Sequence, residues 1–398
     1  MLDAQNKSRR DDIIIELLNT QNKSRRDDII IKNLFLNPQK HQKKLETQKK
    51  NILVAPLNWG LGHATRCIPI IEALENNGYN PIIASDGVAL QMLQKEFPHL
   101  KSLELPSYHI EYAKNGAFFK WKMLLNAPKM LEAIYEEKKI IKKWIKEFEL
   151  SGIISDNRLG VHSKKIPSVF ITHQLNVLTG NTTWISSKMH QQIIKKFSQC
   201  WVPDVETKPN LTGKLGHVEN PGKNIKYIGP LSRLHKRSVE KKFDLMVILS
   251  GPEPQRTMLE EKLQNEMPSY NGNVIFIKGK IEPQQKIEDI GNVKYYNFMN
   301  TEELENTFNE SETVLCRSGY TTIMDLAQLG KKAFFIPTPG QYEQEYLAKK
   351  LKKEGLVPFA KQNDFKIENL NQIEMFKGLK NFGTDITWNK LFCLFEGK

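Results

Sequence analysis

Short apolar runs alternate with helical patterns along most of this chain, and the alternation occurs twice. The first series begins at residues 52–57 (ILVAPL) and continues at 81–85, 152–155 and 168–172. The second series begins at 244–250 (DLMVILS), after a loop-like stretch at 226–238, and continues at 273–278, 313–316 and 332–337. Apolar runs of this length between helices indicate buried parallel strands. The sequence therefore predicts two Rossmann-like, doubly wound α/β domains with a ligand cleft between them.

Four segments follow from this alternation. We expect a first domain over 51–232, a second over 240–380, and a helix at 381–398 that packs back on the first domain. Residues 1–50 form a polar extension in which QNKSRRDDIII occurs twice. Two copies are too few and too short for a solenoid. We interpret the extension as weakly structured and dispensable, with a basic tether as the alternative.

The first candidate site lies between the first strand and the next helix, in the sequence NWGLGHATR. Gly60 and Gly62 let a substrate approach the backbone, and the helix start beyond them offers free N–H groups. His63 lies at the mouth of this turn, and with an unperturbed pKa of about 6.5 it can take a proton from a hydroxyl at neutral pH. A tight turn whose histidine packs locally is an equal alternative.

A second candidate site follows the strand at 313–316, where CRSGYTT leads into a helix that carries Asp325. Ser318 and Thr322 can cap that helix or donate to phosphate oxygens. Asp325, one turn further on, could accept both hydroxyls of a ribose. Ordinary helix capping explains the composition, with Asp325 favourable near the positive end of the helix, but it does not explain the whole string.

This second segment closely resembles the donor-binding motif of family 28 glycosyltransferases, the family that contains MurG. The shared pattern is Cys-Arg-Ser-Gly-x-x-Thr-x-x-Asp, followed by Gly330 and Pro337. The resemblance extends over roughly residues 51–355, as scattered motifs in the family's order. It implies a GT-B fold in which the first domain binds the acceptor and the second binds a nucleotide sugar.

The resemblance also implies donor-binding roles. Asp325 falls on the family's acidic residue, Gln344 and Glu345 on a Gln pair that faces the donor sugar, Arg233 on a diphosphate-contacting arginine, and Met299 beside the uracil ring. Only Gln344 keeps the amide of that pair. The full donor-side set is Arg233, Gly251, Arg256, Met299, Arg317, Ser318, Gly319, Thr322, Asp325, Gln344 and Glu345.

The acceptor side carries the chemistry. The resemblance implies an acceptor-side set of Gly60, Gly62, Arg66 and His173. It also implies inversion at the sugar, which needs one base for the attacking hydroxyl, and we predict His63 in that role. Asp156, directly after a strand, is either a second candidate for the base or the partner that orients a histidine. A loop-capping aspartate is an equal alternative.

One turn departs from the family. The family has a glycine- and serine-rich turn after the first strand of its second domain, where this chain has Ser250-Gly251-Pro252-Glu253-Pro254-Gln255-Arg256. Prolines lack N–H donors, so the phosphate cradle must be built differently, and Arg256 is a candidate replacement charge. The departure argues against MurG itself and for a relative with a different substrate.

The leaving diphosphate needs positive charge. Arg233, Ser318, Gly319 and the helix start would neutralise it. The sequence contains no D-x-D pair suited to Mg²⁺ and no His/Cys ligand cluster. This absence agrees with what the resemblance implies: a metal-independent, UDP-sugar-dependent hexosyltransferase without a bound cofactor, whose nucleotide sugar is a substrate.

A lysine-rich segment at 117–147 raises the question of a membrane. Apolar residues lie beside lysines there: Phe118, Phe119, Trp121, Met123, Leu124, Leu125, Ile140, Ile141, Trp144 and Ile145. This composition suits the surface of an anionic bilayer, and the family's acceptors are lipid-linked. We favour peripheral membrane contact over the alternative of a core-packing helix with a solvated lysine face.

The charge and the cysteine content limit which cellular compartment and which partners we expect. The net charge is +13, and four scattered cysteines have neither metal-ligand nor disulfide-scaffold spacing. No apolar run is long enough for a membrane span and no secretory signal is present. We expect a cytoplasmic protein, peripheral on the inner face of the membrane, with a nucleotide sugar and a lipid-linked acceptor as partners. No nucleic-acid-binding motif accompanies the lysines.

Three functions remain open at this point. The first is an inverting transferase that moves a hexosyl or N-acetylhexosaminyl group from a nucleotide sugar to a lipid-linked or envelope glycan. The second is a nucleotide-sugar hydrolase in which His63 activates water. The third is a non-catalytic protein that binds nucleotide sugars.

Overall fold

The computed structural model describes residues 49–108, 116–176, 183–280, 282–380, 382–383 and 385–397. Side chains are described for all of these except 116–127, 183–186 and 189. The extension expected at 1–50 lies outside the described residues apart from Lys49 and Lys50.

The first domain is built on seven parallel strands in the order β3-β2-β1-β4-β5-β6-β7. These are β1 (Asn51–Pro56), β2 (Asn80–Ser85), β3 (Ser102–Glu104), β4 (Leu150–Asp156), β5 (Ser168–Ile171), β6 (Gln199–Val202) and β7 (Ile225–Tyr227). Its helices are α1 (Gly62–Asn76), α2 (Gly87–Glu96), α3 (Gly116–Glu147) and α4 (Thr183–Ile194).

The second domain is built on six strands in the order β10-β11-β9-β8-β12-β13, parallel except for the β10–β11 pair. These are β8 (Phe243–Ile248), β9 (Val274–Ile277), β10 (Ile287–Ile290), β11 (Val293–Tyr296), β12 (Ser311–Cys316) and β13 (Lys332–Phe335). Its helices are α5 (Gln255–Glu266), α6 (Thr301–Glu310), α7 (Tyr320–Leu329) and α8 (Tyr342–Lys353), with 3₁₀ turns at Met267–Ser269 and Ile367–Met375.

Burial on both faces explains why the strands are apolar throughout. Residues 52–55 of β1 are all 0% exposed, and residues 274–277 of β9 are at most 3% exposed. Helices cover both sides of each sheet, so the central strands have no solvated face and need no alternating polar residues. The predicted fold class of two doubly wound, Rossmann-like domains is confirmed.

The last residues of the chain pack on the first domain. Helix α9 (Trp388–Phe392) and the 3₁₀ turn Cys393–Phe395 lie against Tyr79, whose hydroxyl donates to the Phe392 carbonyl at 3.2 Å. Gly152 in β4 leaves room for the Phe395 ring, because a Cβ there would lie 2.3 Å from that ring. Lys50 Nζ donates to the Glu396 carbonyl at 2.7 Å. The chain therefore crosses from one domain to the other twice, near 228–242 and again near 380–388.

Candidate functional site

Each sheet has a point where the order of its strands reverses, and both candidate motifs lie there. In the first sheet the reversal falls between β1 and β4, whose register pairs Pro56 with Asp156. In the second sheet it falls between β8 and β12, whose register pairs Ile248 with Cys316. Open α/β sheets bind ligands at the carboxyl ends of strands at such points. The predicted acceptor and donor segments therefore occupy the two expected crevices.

His63 and Asp156 meet in the first crevice. His63 lies in the first turn of α1, just after the Gly60 loop, and Asp156 is the last residue of β4. The His63 Nδ1 atom is 3.0 Å from Asp156 Oδ1. Gly60 has a φ of +71°, which this tight strand-to-helix turn needs and which glycine adopts without strain. The pairing brings together the two residues that sequence reasoning named as alternative bases.

Arg66 holds Asp156 with both arms of its guanidinium. Arg66 Nε lies 2.5 Å from Asp156 Oδ2, and Arg66 Nη2 donates to Asp156 Oδ1. The arginine is 2% exposed and the aspartate 0%. Burial alone would raise the pKa of Asp156, but Arg66 and His63 outweigh it and hold that pKa well below its usual value. A carboxylate held ionised in this way is a poor base, and it suits the role of a partner that orients His63.

His63 is held neutral by its surroundings. Its side chain is 14% exposed. Burial lowers the pKa of His63, Asp156 raises it and Arg66 lowers it again, with a net decrease from the ordinary value. Nδ1 is within hydrogen-bond reach of both Asp156 Oδ1 and Arg66 Nη2, the latter at 2.8 Å. Arg66 Nη2 can only donate, so Nδ1 either accepts from Arg66 or donates to Asp156. In the tautomer whose Nδ1–H donates to Asp156, the Nε2 lone pair remains available for a proton.

His173 extends this cluster toward the second domain. It follows β5, and its Nδ1 is 3.2 Å from Arg66 Nη1. Its ring stacks on Tyr320, the first residue of α7, with ring centroids 4.3 Å apart and an interplanar angle of 15°. Its Nε2 is 3.1 Å from Glu343 Oε1, in the first turn of α8. The predicted acceptor-side residues thus touch two helices of the second domain.

Gly62 makes a very close backbone approach to the second domain. A Cβ at Gly62 would lie 2.6 Å from Thr321 Oγ1 in α7, which is closer than real Cβ atoms come. The glycine loop therefore needs glycine at this position for a packing reason that the first-site pattern alone did not reveal.

The donor segment is tied together by polar contacts. Ser318 is fully buried, and its hydroxyl donates to the Gln344 carbonyl at 2.8 Å. The Gln344 side chain accepts from Thr338 N at 2.9 Å, and Glu345 Oε1 accepts from Gly340 N at 3.2 Å. Ser318, Gln344 and Glu345 therefore lie near one another at the β12 end of the second sheet and at the start of α8.

The start of α7 presents backbone N–H groups. Its N-cap is Gly319, which has no side chain to cap the helix, and Thr322 lies half-buried in the first turn. The first N–H groups of a helix have no partner within it and carry a partial positive charge. This is the expected environment for an anion.

Asp325 lies one turn along the same helix. The Ser232 hydroxyl donates to Asp325 Oδ1 at 2.6 Å. Burial raises the pKa of Asp325 to about 6, although Ser232 and Arg233 partly offset that effect. Arg233 Nη1 donates to Thr301 Oγ1 at 2.9 Å, at the start of α6. Asp325 and Arg233 are therefore neighbours, as a ribose and a diphosphate on one ligand require.

Two arginines of the predicted donor set are committed to the fold, and the first is Arg317. It is 1% exposed and donates to the carbonyls of Ile336, Pro337 and Gln255 at 3.1, 3.3 and 2.8 Å. Burial lowers the pKa of Arg317 to about 10. The side chain holds the ends of β12, β13 and α5 together.

Arg256 corrects the expectation of a replacement phosphate charge. It is 5% exposed, and its guanidinium bonds Glu253 at 2.7 Å, Glu260 at 2.7 Å and the Lys278 carbonyl at 3.0 Å. Two carboxylates already balance its charge. Glu253 also accepts from Thr257 N at 3.2 Å, so this chain's own carboxylate occupies the start of α5. Gly251, with φ +108°, lies exposed at the beginning of that turn.

Met299 lies at the end of the loop after β11. It is partly buried against the core, and its Sδ atom is 3.4 Å from Thr307 Oγ1. The preceding residue, Phe298, uses its carbonyl to accept from Gln285 Nε2 at 3.0 Å. This loop is on the same domain as the donor segment.

Sequence reasoning missed a second buried ion cluster beneath the acceptor crevice. Arg158 is 0% exposed and donates to Glu137 Oε1 at 2.7 Å and to Asp86 Oδ1 at 2.8 Å. Tyr108 Oη donates to Glu137 Oε2 at 2.7 Å. Arg158 stands two residues after Asp156, but its partners come from the end of β2 and from α3, so no local pattern indicates them.

The lysine-rich segment forms one helix, α3, with Pro128 inside it. Ile141 and Trp144 are 1% and 9% exposed and pack in the core, so these two do not face a bilayer, contrary to the sequence interpretation. Leu131 and Tyr135 are instead 63% and 60% exposed. The side chains of Phe118, Phe119, Trp121, Met123, Leu124 and Leu125 lie outside the described residues.

Within the described ranges, every helix is too short or too polar to cross a bilayer. In the same part of the chain, no three His, Cys, Asp or Glu side chains are grouped in a way that could hold a metal ion.

Comparison with known proteins finds similar sequences among glycosyltransferases. Residues 254–374 match the glycosyltransferase family 28 C-terminal domain. A Haemophilus ducreyi protein, a UDP-N-acetylglucosamine--N-acetylmuramyl-(pentapeptide) pyrophosphoryl-undecaprenol N-acetylglucosamine transferase, is 25% identical over 262 residues, which cover 63% of this chain and 70% of that protein. An uncharacterized glycosyltransferase of Methanosarcina acetivorans is 23% identical over 327 residues, which cover 74% of this chain and 82% of that protein.

The solved structures agree on the fold. The glycotransferase of kitacinnamycin superposes with a TM-score of 0.56 at 13% identity, covering 82% of this chain and 89% of that one. The chain therefore has the GT-B fold, and its residues 254–374 resemble the C-terminal domain of family 28 glycosyltransferases.

Proposed function

We propose that this protein is an inverting glycosyltransferase that moves a hexosyl or N-acetylhexosaminyl group from a UDP-linked sugar to a lipid-linked or envelope glycan acceptor. The observation that carries the proposal is the His63–Asp156 pair, 3.0 Å apart, in the crevice of one domain. The donor segment of the other domain approaches Gly62 of the same loop. The name of the Haemophilus ducreyi relative includes both a UDP-N-acetylglucosamine donor and a pyrophosphoryl-undecaprenol acceptor.

The chemistry begins with a proton transfer. The acceptor hydroxyl gives its proton to His63 Nε2 while its oxygen attacks the anomeric carbon of the donor sugar. The bond from that carbon to the diphosphate oxygen breaks, and its electron pair leaves with the nucleoside diphosphate. Asp156 holds the Nδ1–H of His63 and stabilises the imidazolium that forms. Attack opposite to the leaving group inverts the configuration at the anomeric carbon.

The donor side would neutralise the leaving group. The N–H groups at the start of α7, beginning at Gly319, and the Arg233 guanidinium would face the diphosphate. Asp325, one turn along α7, would accept the ribose hydroxyls, and Gln344 would meet the sugar. We propose that these contacts suffice without a metal ion, so chelation of divalent ions should leave the rate unchanged.

The proline-containing turn supports a substrate different from that of MurG. In the turn from Gly251 to Arg256, the Glu253 carboxylate pairs with the Arg256 guanidinium and adds a negative charge. A negative side chain at the start of α5 disfavours a phosphate there. We infer that the diphosphate relies on α7 and Arg233 without the start of α5, and that the donor or the acceptor differs from that of MurG accordingly.

Exposed residues of helix α3 support contact of the protein with the inner face of a membrane. The exposed pair Leu131 and Tyr135 lies one helical turn apart, on a helix that also exposes Lys139, Lys142 and Lys143. Apolar side chains beside cations suit an anionic bilayer. We expect Leu131→Glu to weaken sedimentation with vesicles that contain phosphatidylglycerol at least severalfold, whereas Val88→Glu, at another exposed apolar position on α2, should not. Equal sedimentation of the two variants would refute membrane contact through α3.

A donor panel tests the enzymatic proposal. The purified protein is incubated with UDP-N-acetylglucosamine, UDP-glucose and UDP-galactose, with and without an undecaprenyl-linked glycan acceptor, and released UDP is measured. Transfer predicts release that depends on acceptor, and His63→Ala should lower it by about 10²–10⁴. His99→Ala is the matched control, because His99 is exposed and pairs with Glu75 away from the crevice.

The other functions give different results in the same assay. Fast stoichiometric release of free sugar without acceptor would mean a hydrolase. Binding of UDP-sugars without turnover would mean a non-catalytic binding protein. Absence of UDP-sugar binding by calorimetry would contradict the proposal altogether.

A further inference from the structure

Glu343 connects the donor domain to the histidines of the acceptor domain. It lies in the first turn of α8, directly before Gln344. Its Oε1 atom is 3.1 Å from His173 Nε2, and its Oε2 atom accepts from Gln174 Nε2. Both partners follow β5 of the first domain. Glu343 is therefore held by two donors across the cleft.

The other ring nitrogen of His173 contacts Arg66. A guanidinium only donates hydrogen bonds, so the 3.2 Å contact makes His173 Nδ1 an acceptor from Arg66 Nη1. His173 Nε2 then carries the ring proton and donates it to Glu343. Stacking on Tyr320 fixes the plane of the ring. The result is a continuous chain of hydrogen bonds from Glu343 through His173 and Arg66 to Asp156 and His63.

A charge count shows why a second carboxylate matters. Asp156 is bound to both Arg66 and His63. Once His63 takes a proton, two cations share that single buried carboxylate, and sharing of this kind is costly where water is scarce. Glu343 is the carboxylate at the far end of the chain. Burial would raise the pKa of Glu343, but His173, Arg66 and His63 bring it below the usual value, so Glu343 is ionised at neutral pH.

The donor segment controls where Glu343 lies. The Ser318 hydroxyl, in the donor motif, donates to the carbonyl of Gln344 at 2.8 Å, and Gln344 also binds Thr338 N. The first turn of α8 therefore moves with the donor segment. Any change in the separation of the domains changes the Glu343–His173 contact.

We propose that Glu343 is a positioning residue for the base His63, supplied by the opposite domain, so that the base is complete only when the two domains are together. The proposal rests on the proposed function, in which His63 takes the acceptor proton. It deepens that function by making the base dependent on domain closure. In an enzyme built in this way, the base lacks its second carboxylate while the cleft is open.

Titratable groups from both domains surround His63 and its partners. Arg66 of α1, Asp156 of β4, His173 after β5 and Glu343 of α8 interact with His63 itself. Cys67 lies beside Asp156, and Tyr320 of α7 stacks on His173. Among these, Asp156 and Glu343 carry negative charge at neutral pH. Removal of the Glu343 charge leaves the Arg66 guanidinium with less compensation, so a neutral His63 becomes favoured.

The test measures His63 directly. Histidine is labelled with ¹³C and ¹⁵N, and each imidazole is followed by NMR between about pH 4.5 and 8.5, with His63→Gln used for assignment. In Glu343→Gln the amide keeps the size of the side chain and loses its charge. We expect the pKa of His63 to fall by about half a unit to one unit. Glu368→Gln, at an exposed position of the same domain, should leave it unchanged.

A second variant tests the same chain from the other domain. His173→Gln interrupts the path between Glu343 and Arg66, so Glu343→Gln should lower the pKa of His63 less in the His173→Gln background than in the wild type. With UDP-N-acetylglucosamine and acceptor, Glu343→Gln should lower kcat about tenfold and move the acid limb of the pH profile to lower pH, with little change in KM for the donor.

The outcomes separate the two proposals. If Glu343→Gln leaves the His63 titration unchanged, Glu343 does not act on the base and this inference is wrong. If the His63 pKa shifts as expected but the wild-type protein neither binds nor consumes UDP-sugars, the proposed function fails while the coupling stands.

Discussion

Replacement of Asp156 by Asn should damage both catalysis and stability, for reasons that the structure separates. Asn keeps the shape of the side chain but presents an NH₂ group in place of one oxygen. If the remaining oxygen stays with Arg66, the NH₂ group faces His63 Nδ1, which must then accept. The proton moves to Nε2, and the base is lost. We expect kcat to fall by about 10²–10⁴, the range of general-base catalysis.

The loss of stability has a different origin. Arg66 is 2% exposed and loses the carboxylate that both arms of its guanidinium bind. An uncompensated buried charge costs about 3–5 kcal/mol, measured as the free energy of unfolding in urea at neutral pH. The pKa of Asp156 is depressed in the folded protein, so its contribution is present at neutral pH and declines as the pH falls through that pKa. The difference between wild type and variant should therefore narrow in acid.

A double variant distinguishes an orienting role from an independent one. If Asp156 acts through His63, then His63→Gln already removes the effect, and adding Asp156→Asn should lower kcat little further. Rate losses that multiply in the double variant would refute the pairing. Wild-type kcat in Asp156→Asn would refute any role for the carboxylate.

Three further predictions concern other parts of the structure. Because the pKa of Asp325 is about 6, UDP binding measured by calorimetry should weaken below that pH by up to about tenfold per pH unit, and Asp325→Asn should abolish that dependence; a pH-independent affinity in the wild type would contradict it. Gly62→Ala should lower activity about tenfold or more because its Cβ would lie 2.6 Å from Thr321 Oγ1, and Thr321→Ala in the same chain should restore activity; failure of this rescue would mean that the clash is not the cause. Glu137→Gln should lower the free energy of unfolding by about 3 kcal/mol because it leaves Arg158 under-compensated, and an unchanged urea midpoint would rule out a stabilising role for that cluster.

The fold could be predicted from the sequence where the strands are buried on both faces. Runs such as residues 52–55 and 274–277 are apolar without interruption, and this indicates parallel strands. The hairpin formed by β10 and β11 was missed. Its edge strand, Ile287–Ile290, is exposed at every position and includes two acidic residues, so it carries no apolar run. The three-residue strands β3 and β7 are too short for any periodicity to appear.

Only parts of the candidate site could be predicted from the sequence. His63 and Asp156 could each be named from local pattern, because both follow strands. Their contact depends on β1 and β4 being neighbours, which a crossover produces and no local spacing encodes. Glu343 was missed because its partner is 170 positions away in the chain. Arg256 was misjudged because its two carboxylate partners saturate it, a property of packing rather than of composition.

The docking of the C-terminal segment on Tyr79 has a mechanical consequence. A single linker would let the two domains swivel about any direction. The chain connects the two domains at two separate places, at 228–242 and near 380–388. Two such connections define an axis. We therefore expect the domains to move relative to each other by rotation about the line between the two crossings. Such a rotation would bring His173 and Glu343 back into the same contact each time the domains close.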